Sequence, residues 1–310
     1  MSKLKVLVSL ITEDNEYQVE QAASAQRAAI RLDASVQIVY ANNDAVLQTQ
    51  QILQCIQEPT KRPDAILVEP VGTGMAQVAK AVVSAEIAWG IINAEVDYLQ
   101  ALRLRATVPV FSVLTDHEEI GKIQGKQIAA ILGETGCVLS IEGPSGRDVP
   151  RMRTKGMMAS KPSGVAIKSL KGDWTQQSGY HAIKSWLALS TSRDMKVEMI
   201  ACQNDDMANG ARRAFEDVTD LKERDAWLRL PIIGCDGVPK AGQNWVRGGR
   251  LTATVLCPPL IGEAMQLLAN ARRTGTQPPE RTQLAPSSFP ELSQLQRVSS
   301  RLGKVQFIVT

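Results

Sequence analysis

The sequence predicts an α/β protein made of two parallel sheets, each covered by helices on both faces. Three observations predict this. Short apolar runs alternate with amphipathic stretches along most of the chain, the pattern of βα units. There are about ten such runs, many for one open sheet. The chain has 310 residues, the length of two domains or of one large one.

Taken in order, the strands are expected at Lys5–Leu10, Val36–Tyr40, Ala65–Val68, Ile87–Ile92, Val110–Val113, Val138–Ile141, Val165–Leu170, Glu198–Cys202, Pro231–Cys235 and Thr252–Leu256. Each is a short, largely apolar run. Helical periodicity lies between them at Tyr17–Arg31, Asp44–Gln57, Gly121–Leu132, Gly179–Leu189, Met207–Val218 and Pro259–Ala271. Asp205 or Asp206 is read as the N-cap of the Met207 helix. The Pro/Gly/Ser-rich stretch Thr274–Pro290 reads as a surface connection. A short helix over Leu292–Leu302 and a last strand over Val305–Val309 follow.

Composition excludes several classes. Apolar residues make up 44% and charged residues 22%, as in an ordinary folded protein. The net charge of +3 is small and scattered, so no nucleic-acid partner is expected. No stretch of 18 apolar residues occurs, so no membrane insertion is expected. With only His117 and His181, a His-rich metal site is not expected. The five cysteines are odd in number, widely spaced and without a CxxC pair, and read as reduced thiols rather than a disulfide framework or metal site.

Cofactor motifs are also missing. Gly72-Thr-Gly74 has Gln77 where a dinucleotide fingerprint needs its third glycine, and no GxxxxGK[ST] loop exists. Gly143-Pro-Ser-Gly146 is not a nucleophile elbow. No catalytic residue, cofactor or metal is expected, and the protein is read as a non-enzyme.

The informative pattern is a series of polar residues where strands end. Val8-Ser9-Leu10 leads to Thr12–Tyr17, Leu67-Val68 ends in Glu69, and Ile91-Ile92 ends in Asn93. Ile200-Ala-Cys202 ends in Gln203–Asp206, and Ile232–Cys235 ends in Asp236. In open α/β sheets the ligand crevice lies outside the carboxyl ends of the strands. Carboxylates and amides there suit a hydroxyl-rich ligand. Tyr17 and Trp174, both read near loops, are expected to cover apolar faces of a sugar ring, with Trp174 outside the core.

At these residues the chain resembles the type I periplasmic binding proteins of the ribose-binding class, a family shared with the effector domains of LacI-type repressors. Gln203-Asn-Asp-Asp-Met-Ala-Asn-Gly-Ala-Arg-Arg-Ala214 is similar to the family's QNDxMAxGAxxA motif. Gly234-Cys-Asp-Gly-Val-Pro239 resembles its GxDGxP turn, and Gly248–Val255 the segment that follows. The matches run in family order from about residue 4 to 270.

The resemblance implies ligand contacts, residue by residue. Asn15 would bond a hydroxyl and Tyr17 would stack. Glu69 and Asn93 would stand at strand ends of the first lobe. Arg153, Trp174, Asn204 and Asp236 would reach from the second, with Cys235 and Cys257 at positions often aromatic and Gln. Asn93-Ala94 replaces the family's Asp-Arg pair, and Gln18 a second aromatic. The segments Glu95–Thr107 and Thr219–Leu230 and the tail after Thr274 exceed the family pattern.

The resemblance also implies two doubly wound lobes joined by a three-strand hinge. The expected boundaries are 1–116 with about 258–290, and about 117–257 with about 300–310. Closing on a small sugar-like ligand would be a hinge motion. Three roles follow: a receptor delivering a sugar or polyol to an ABC-type permease, an intracellular sensor module coupled to a regulatory protein and lacking a DNA-binding domain, and, last in rank, an enzyme using Glu69 and Asp236 as an acid–base pair. The compartment stays open: periplasm if a leader has been removed, cytoplasm if Met1 is the native start.

Overall fold

The computed structural model describes residues 3–58, 62–146, 148–190 and 195–297. The chain forms two compact units. The first comprises Met1–Thr115 and Pro258–Ala285; the second comprises Asp116–Cys257 and the chain from Pro286. The backbone therefore passes between units after Thr115, Cys257 and Ala285.

In the first unit, β1 (Lys5–Leu10), β2 (Ser35–Tyr40), β3 (Ala65–Val68), β4 (Ala88–Ile92) and β5 (Val110–Thr115) form a parallel sheet with β11 (Arg281–Leu284). Its spatial order is β11-β5-β4-β3-β1-β2. The alternation of β1 divides its side chains between two layers. Val6, Val8 and Leu10 pack with Ala22, Ala25 and Ala29 of α1 (Glu16–Arg31) and Met265 of α11 (Ile261–Thr274). Leu7 packs on the other face with Ile52 of α2 (Ala45–Gln57) and Val78 and Val82 of α3 (Ala76–Ser84). Each such fully buried aliphatic contributes roughly 1.5–3 kcal/mol.

The second unit repeats the plan. The parallel order is β7 (Gly164–Lys171), β6 (Thr135–Glu142), β8 (Met199–Cys202), β9 (Ile232–Ile233). A parallel bridge from Ile233 to Ala253 continues it toward β10 (Thr254–Leu256). Leu139 and Ile141 face α7 (Gln176–Leu187) and α8 (Asp205–Glu216), while Val138 faces α5 (His117–Leu132) and α6 (Asp148–Ser160).

Glycines bring these helices into backbone contact. A Cβ on Gly121 of α5 would stand 2.0 Å from the Arg153 carbonyl, and one on Gly156 of α6 1.9 Å from the Glu118 carbonyl. A Cβ on Gly179 of α7 would meet the Met207 carbonyl at 2.2 Å, and one on Gly210 of α8 the Gln176 carbonyl at 1.9 Å. The glycine of the Gln203–Ala214 motif is therefore a packing residue: only hydrogen fits between α7 and α8.

Several expectations need correction. The stretch Thr274–Pro290 is not merely a connection. α11 ends at Gly275 in the left-handed region, β11 then adds to the edge of the first sheet beside β5, and β12 (Ser287–Phe289) pairs antiparallel with β10. These strands are polar and half-exposed, so ladder hydrogen bonds rather than an apolar run define them, and sequence periodicity misses them. Ser287–Phe289, placed with the first lobe from sequence, thus pairs within the second unit. Glu95–Thr107 contains α4 (Leu99–Arg103), and Thr219–Leu230 contains α9 (Leu221–Leu228); α10 (Gly242–Arg247) is a further short helix. Leu292–Gln294 is one 3₁₀ turn, and the strand expected at Val305–Val309 lies outside the described residues. Among the described residues no helix is long and apolar enough to cross a membrane.

Candidate functional site

In the first unit the candidates gather at the carboxyl ends of β1, β3 and β4. Glu69 directly follows β3 and is 4% exposed. Its Oε2 accepts from Gln18 Nε2 at 2.9 Å and its Oε1 from Asn93 Nδ2, also at 2.9 Å. Asn93 directly follows β4 with φ 57°, a left-handed turn that asparagine tolerates better than most residues. Its Oδ1 is buried with no hydrogen-bond partner, an acceptor in need of a donor.

Gln48 of α2 braces the same strand ends. Its Nε2 donates to Ser9 Oγ (3.1 Å) and the Glu69 carbonyl (2.9 Å), and its Oε1 accepts from the Val71 amide. Sequence reasoning missed Gln48 and gave Gln18 no role. A signal existed in α1, where Gln18 and Gln21 stand one turn apart among alanines, on a face that has to be buried.

Asn15 caps α1, accepting from the Gln18 amide at 2.9 Å. Tyr17 lies in the first turn of α1 and not in a loop. It is buried, and its hydroxyl donates to the Pro258 carbonyl at 3.3 Å and accepts from Gln21 Nε2. The helix expected over Tyr17–Arg31 is thus present and begins one residue earlier, at Glu16.

In the second unit Arg153 of α6 is the hub. Its Nη1 donates to the Gln203 carbonyl, and its Nη2 stands 3.9 Å from Asp236 Oδ1. Its guanidinium lies 5.4 Å over the centroid of the Trp174 ring, within cation–π range. Gln203 closes the turn after β6 by accepting from the Gly143 amide (3.0 Å) and donating to Pro150 O and Thr154 Oγ1.

Asn204, not Asp205 or Asp206, is the N-cap of α8. Its Oδ1 accepts from the Met207 amide at 2.9 Å and its Nδ2 donates to the Trp174 carbonyl at 2.8 Å. The neighbouring Asp205 turns inward instead, accepting from Thr254 Oγ1 (2.7 Å) and the Gly237 amide (2.8 Å). Sequence alone offered three consecutive capping residues; the inward contacts of Asp205 decide among them.

Trp174 also departs from expectation. It is half-buried at φ 75° and packs against the apolar cluster that includes Leu139 and Ile183. Its ring occupies the space a Cβ on Gly143 would take, 2.2 Å from Cζ2. The loop around it is polar, but the ring itself belongs partly to the core.

Asp236 follows β9 at φ 110°, its amide bonded to the Val255 carbonyl and its carbonyl to the Cys257 amide. Burial holds its carboxyl well above the usual carboxylate range. The Arg153 charge opposes the rise, while Cys257, Asp205 and Asp206 add to it. Cys235 and Cys257 are buried with their sulfurs 3.4 Å apart. Burial raises the Cys235 thiol, and the hydrogen bond from Cys235 makes Cys257 the more acidic of the two. All five cysteines are free thiols.

Each unit thus carries polar groups at its strand ends: buried Gln18 and Glu69 with half-buried Asn93 in the first, and buried Arg153, Asn204 and Asp236 beside the half-buried Trp174 in the second. The first set offers amide donors and carboxylate and amide acceptors; the second offers guanidinium and amide donors, a carboxyl and an aromatic. Both Glu69 oxygens are already engaged by amides, so this carboxylate is poorly placed to transfer protons.

Known proteins resemble the chain over most of its length. The chain is 25% identical over 257 residues to the ribose import binding protein RbsB of Escherichia coli K12, covering 82% of this chain and 79% of that protein. It is 29% identical over 221 residues to the xylitol-binding protein of Mycolicibacterium smegmatis, covering 70% and 57%. The fold matches an ABC transporter periplasmic solute-binding protein of Actinobacillus succinogenes with bound D-allose, at TM-score 0.79 and 20% identity over 94% of this chain and 99% of that one. It also matches a Caulobacter myo-inositol binding protein at TM-score 0.76 and 19% identity, covering 97% of each. These are binding proteins and not enzymes, so the reading of Glu69 and Asp236 as an acid–base pair is set aside. The family model for the periplasmic binding protein domain matches residues 6–276, and the chain belongs to that family.

Proposed function

We propose that the protein is a solute-binding receptor for a small polyhydroxylated ligand, a sugar or polyol, serving an ABC-type importer. The observation that carries the reading is the Arg153 arrangement. A buried guanidinium lies over Trp174 and faces Asp236, so a donor, an acceptor and an aromatic converge at one set of strand ends. The unpartnered Oδ1 of Asn93 supports it, since a ligand hydroxyl would supply the missing donor. Ribose, xylitol, D-allose and myo-inositol, named for the proteins above, share that chemistry.

Calorimetry with pentoses, hexoses, linear polyols and cyclitols tests the reading. One of them is expected to bind one to one and to be recovered unchanged. Its affinity should fall both for Asn93→Ala in the first unit and for Asp236→Ala in the second. The loss for Asp236 should be about 2- to 100-fold, the range from a neutral hydrogen bond to one with a charged group. Binding of none of these classes, or binding indifferent to both substitutions, would overturn it.

A further inference from the structure

We propose that Cys235, Asp236 and Cys257 form a binding site for a thiophilic divalent cation, zinc, within the second unit. The inference does not rest on the sugar-receptor reading. One donor atom from each of the three residues lies within 4.8 Å of the others, with the two sulfurs 3.4 Å apart. Zinc–sulfur bonds of about 2.3 Å at a tetrahedral angle place two thiolates about 3.8 Å apart. Loading the site therefore asks the sulfurs to part by only about 0.4 Å. A disulfide would ask them to close by more than 1 Å, to about 2.05 Å, and would also need an oxidant. The smaller movement favours the metal.

The donors come from adjacent strand ends, not from free loops. The Asp236 amide bonds the Val255 carbonyl at 2.9 Å and the Cys257 amide bonds the Asp236 carbonyl at 3.0 Å, so ladder hydrogen bonds hold the three in register. Cys235 is fully buried, and Cys257 and Asp236 are each 7% exposed. Asp236 is held at φ 110°, a conformation costly for a residue with a side chain and of the kind that collects at functional sites.

Charge decides in the same direction. Two thiolates and a carboxylate sum to −3; the Arg153 guanidinium, 3.9 Å from Asp236, brings the cluster to −2. A divalent cation brings it to zero. Arg153 then acts as the outer partner of a ligating carboxylate, a role that metal sites commonly give to hydrogen-bonding neighbours. Three protein ligands leave a fourth position for water or another donor.

The test uses the full chain, reduced and stripped with a chelator, after a count of five thiols under denaturing conditions. Cobalt(II) is titrated first, followed by zinc. One equivalent should produce thiolate-to-cobalt charge transfer and intense tetrahedral d–d bands, which zinc then bleaches. Cys235→Ser and Cys257→Ser should each weaken metal binding by more than the roughly 10- to 100-fold that loss of an outer partner costs. Cys55→Ser should leave it unchanged. X-ray absorption on the zinc-loaded native protein, which needs no variant to fold, should count two sulfur ligands. No charge transfer with five thiols counted, zinc without sulfur ligands, or binding that survives the double serine substitution would each overturn the proposal. None of these readouts involves a sugar.

Discussion

The Arg153 guanidinium lies 5.4 Å over the Trp174 ring, and Asn204 ties the Trp174 carbonyl at 2.8 Å. The ring is thus held from both ends: its backbone by the cap of α8, its face by α6. Trp174→Ala should cost stability as well as affinity, up to about 3 kcal/mol because the ring is only half-buried. Trp174→Phe should recover most of the stability. Thermal melts of both variants check this, and a melting point unchanged in Trp174→Ala would mean the ring contributes nothing to the core.

Asn204 makes two separable bonds, to the Met207 amide and to the Trp174 carbonyl. Asn204→Ala loses both and should cost about 1–2 kcal/mol. Asn204→Asp keeps the cap but has no amide to offer Trp174. It should unfold at a midpoint nearer to the parent, with the Trp174 fluorescence changed. Equal destabilisation by both variants would show that the cap is not the main contribution.

Asn93 combines a left-handed backbone with an unpartnered acceptor. Asn93→Gly relieves the backbone but removes the donor to the buried Glu69 carboxylate, and should cost about 1.5–3 kcal/mol of stability. Asn93→Val should lose more than Asn93→Gly, since a β-branched residue fits φ 57° badly. Both should weaken ligand binding by about 2- to 10-fold, the worth of one neutral hydrogen bond. Denaturant titration and calorimetry separate the two effects.

Gly210→Ala tests the motif glycine. Its Cβ would stand 1.9 Å from the Gln176 carbonyl, so the α7–α8 contact has to open. Alanine gains about 1 kcal/mol of helix propensity, but overpacking against backbone costs about 1–3 kcal/mol or more. Net destabilisation is expected, as it is for Gly156→Ala between α5 and α6. A chemical denaturation midpoint that rises for either would refute the packing argument.

The pH dependence of stability should carry the mark of Asp205. Burial lifts its carboxyl well above the ordinary range, against the hydrogen bonds from Thr254 and Gly237, with Asp206 and Cys257 adding to the rise. The folded state then holds a proton that the unfolded state releases above about pH 3.9. Stability on this account falls as pH climbs above the ordinary carboxylate range, and the loss is complete once the folded value is passed. Asn mimics the neutral acid, because the Thr254 hydroxyl can reverse its bond. Asp205→Asn should therefore be more stable than the parent near pH 7, with the gap narrowing toward pH 4. Calorimetric melts across that range check it, and a gap constant with pH would sink it.

Much of this protein was legible in its sequence. The runs Lys5–Leu10 and Ala65–Val68 are strands over the residues read, because a parallel strand covered on both faces reads as a near-continuous apolar run. The polar residues that end such runs, Glu69, Asn93 and Asp236, stand out for the same reason: each interrupts an apolar stretch where the sheet stops. Tertiary structure decided what local pattern cannot carry. Arg281–Leu284 and Ser287–Phe289 are strands only because neighbouring strands offer them backbone partners, and hydrogen bonding leaves no hydrophobic signature. The choice of Asn204 over Asp205 as a cap depends on Thr254 and Gly237, which reach Asp205 from 49 and 32 residues away. Gln48 is structural rather than one more surface glutamine because Ser9 and Glu69 happen to face it. The approach of Cys235 and Cys257 to 3.4 Å follows from the parallel register that places Asp236 beside Leu256. Side-chain chemistry along one strand is written in order along the chain; which strands become neighbours is settled only when the sheet assembles.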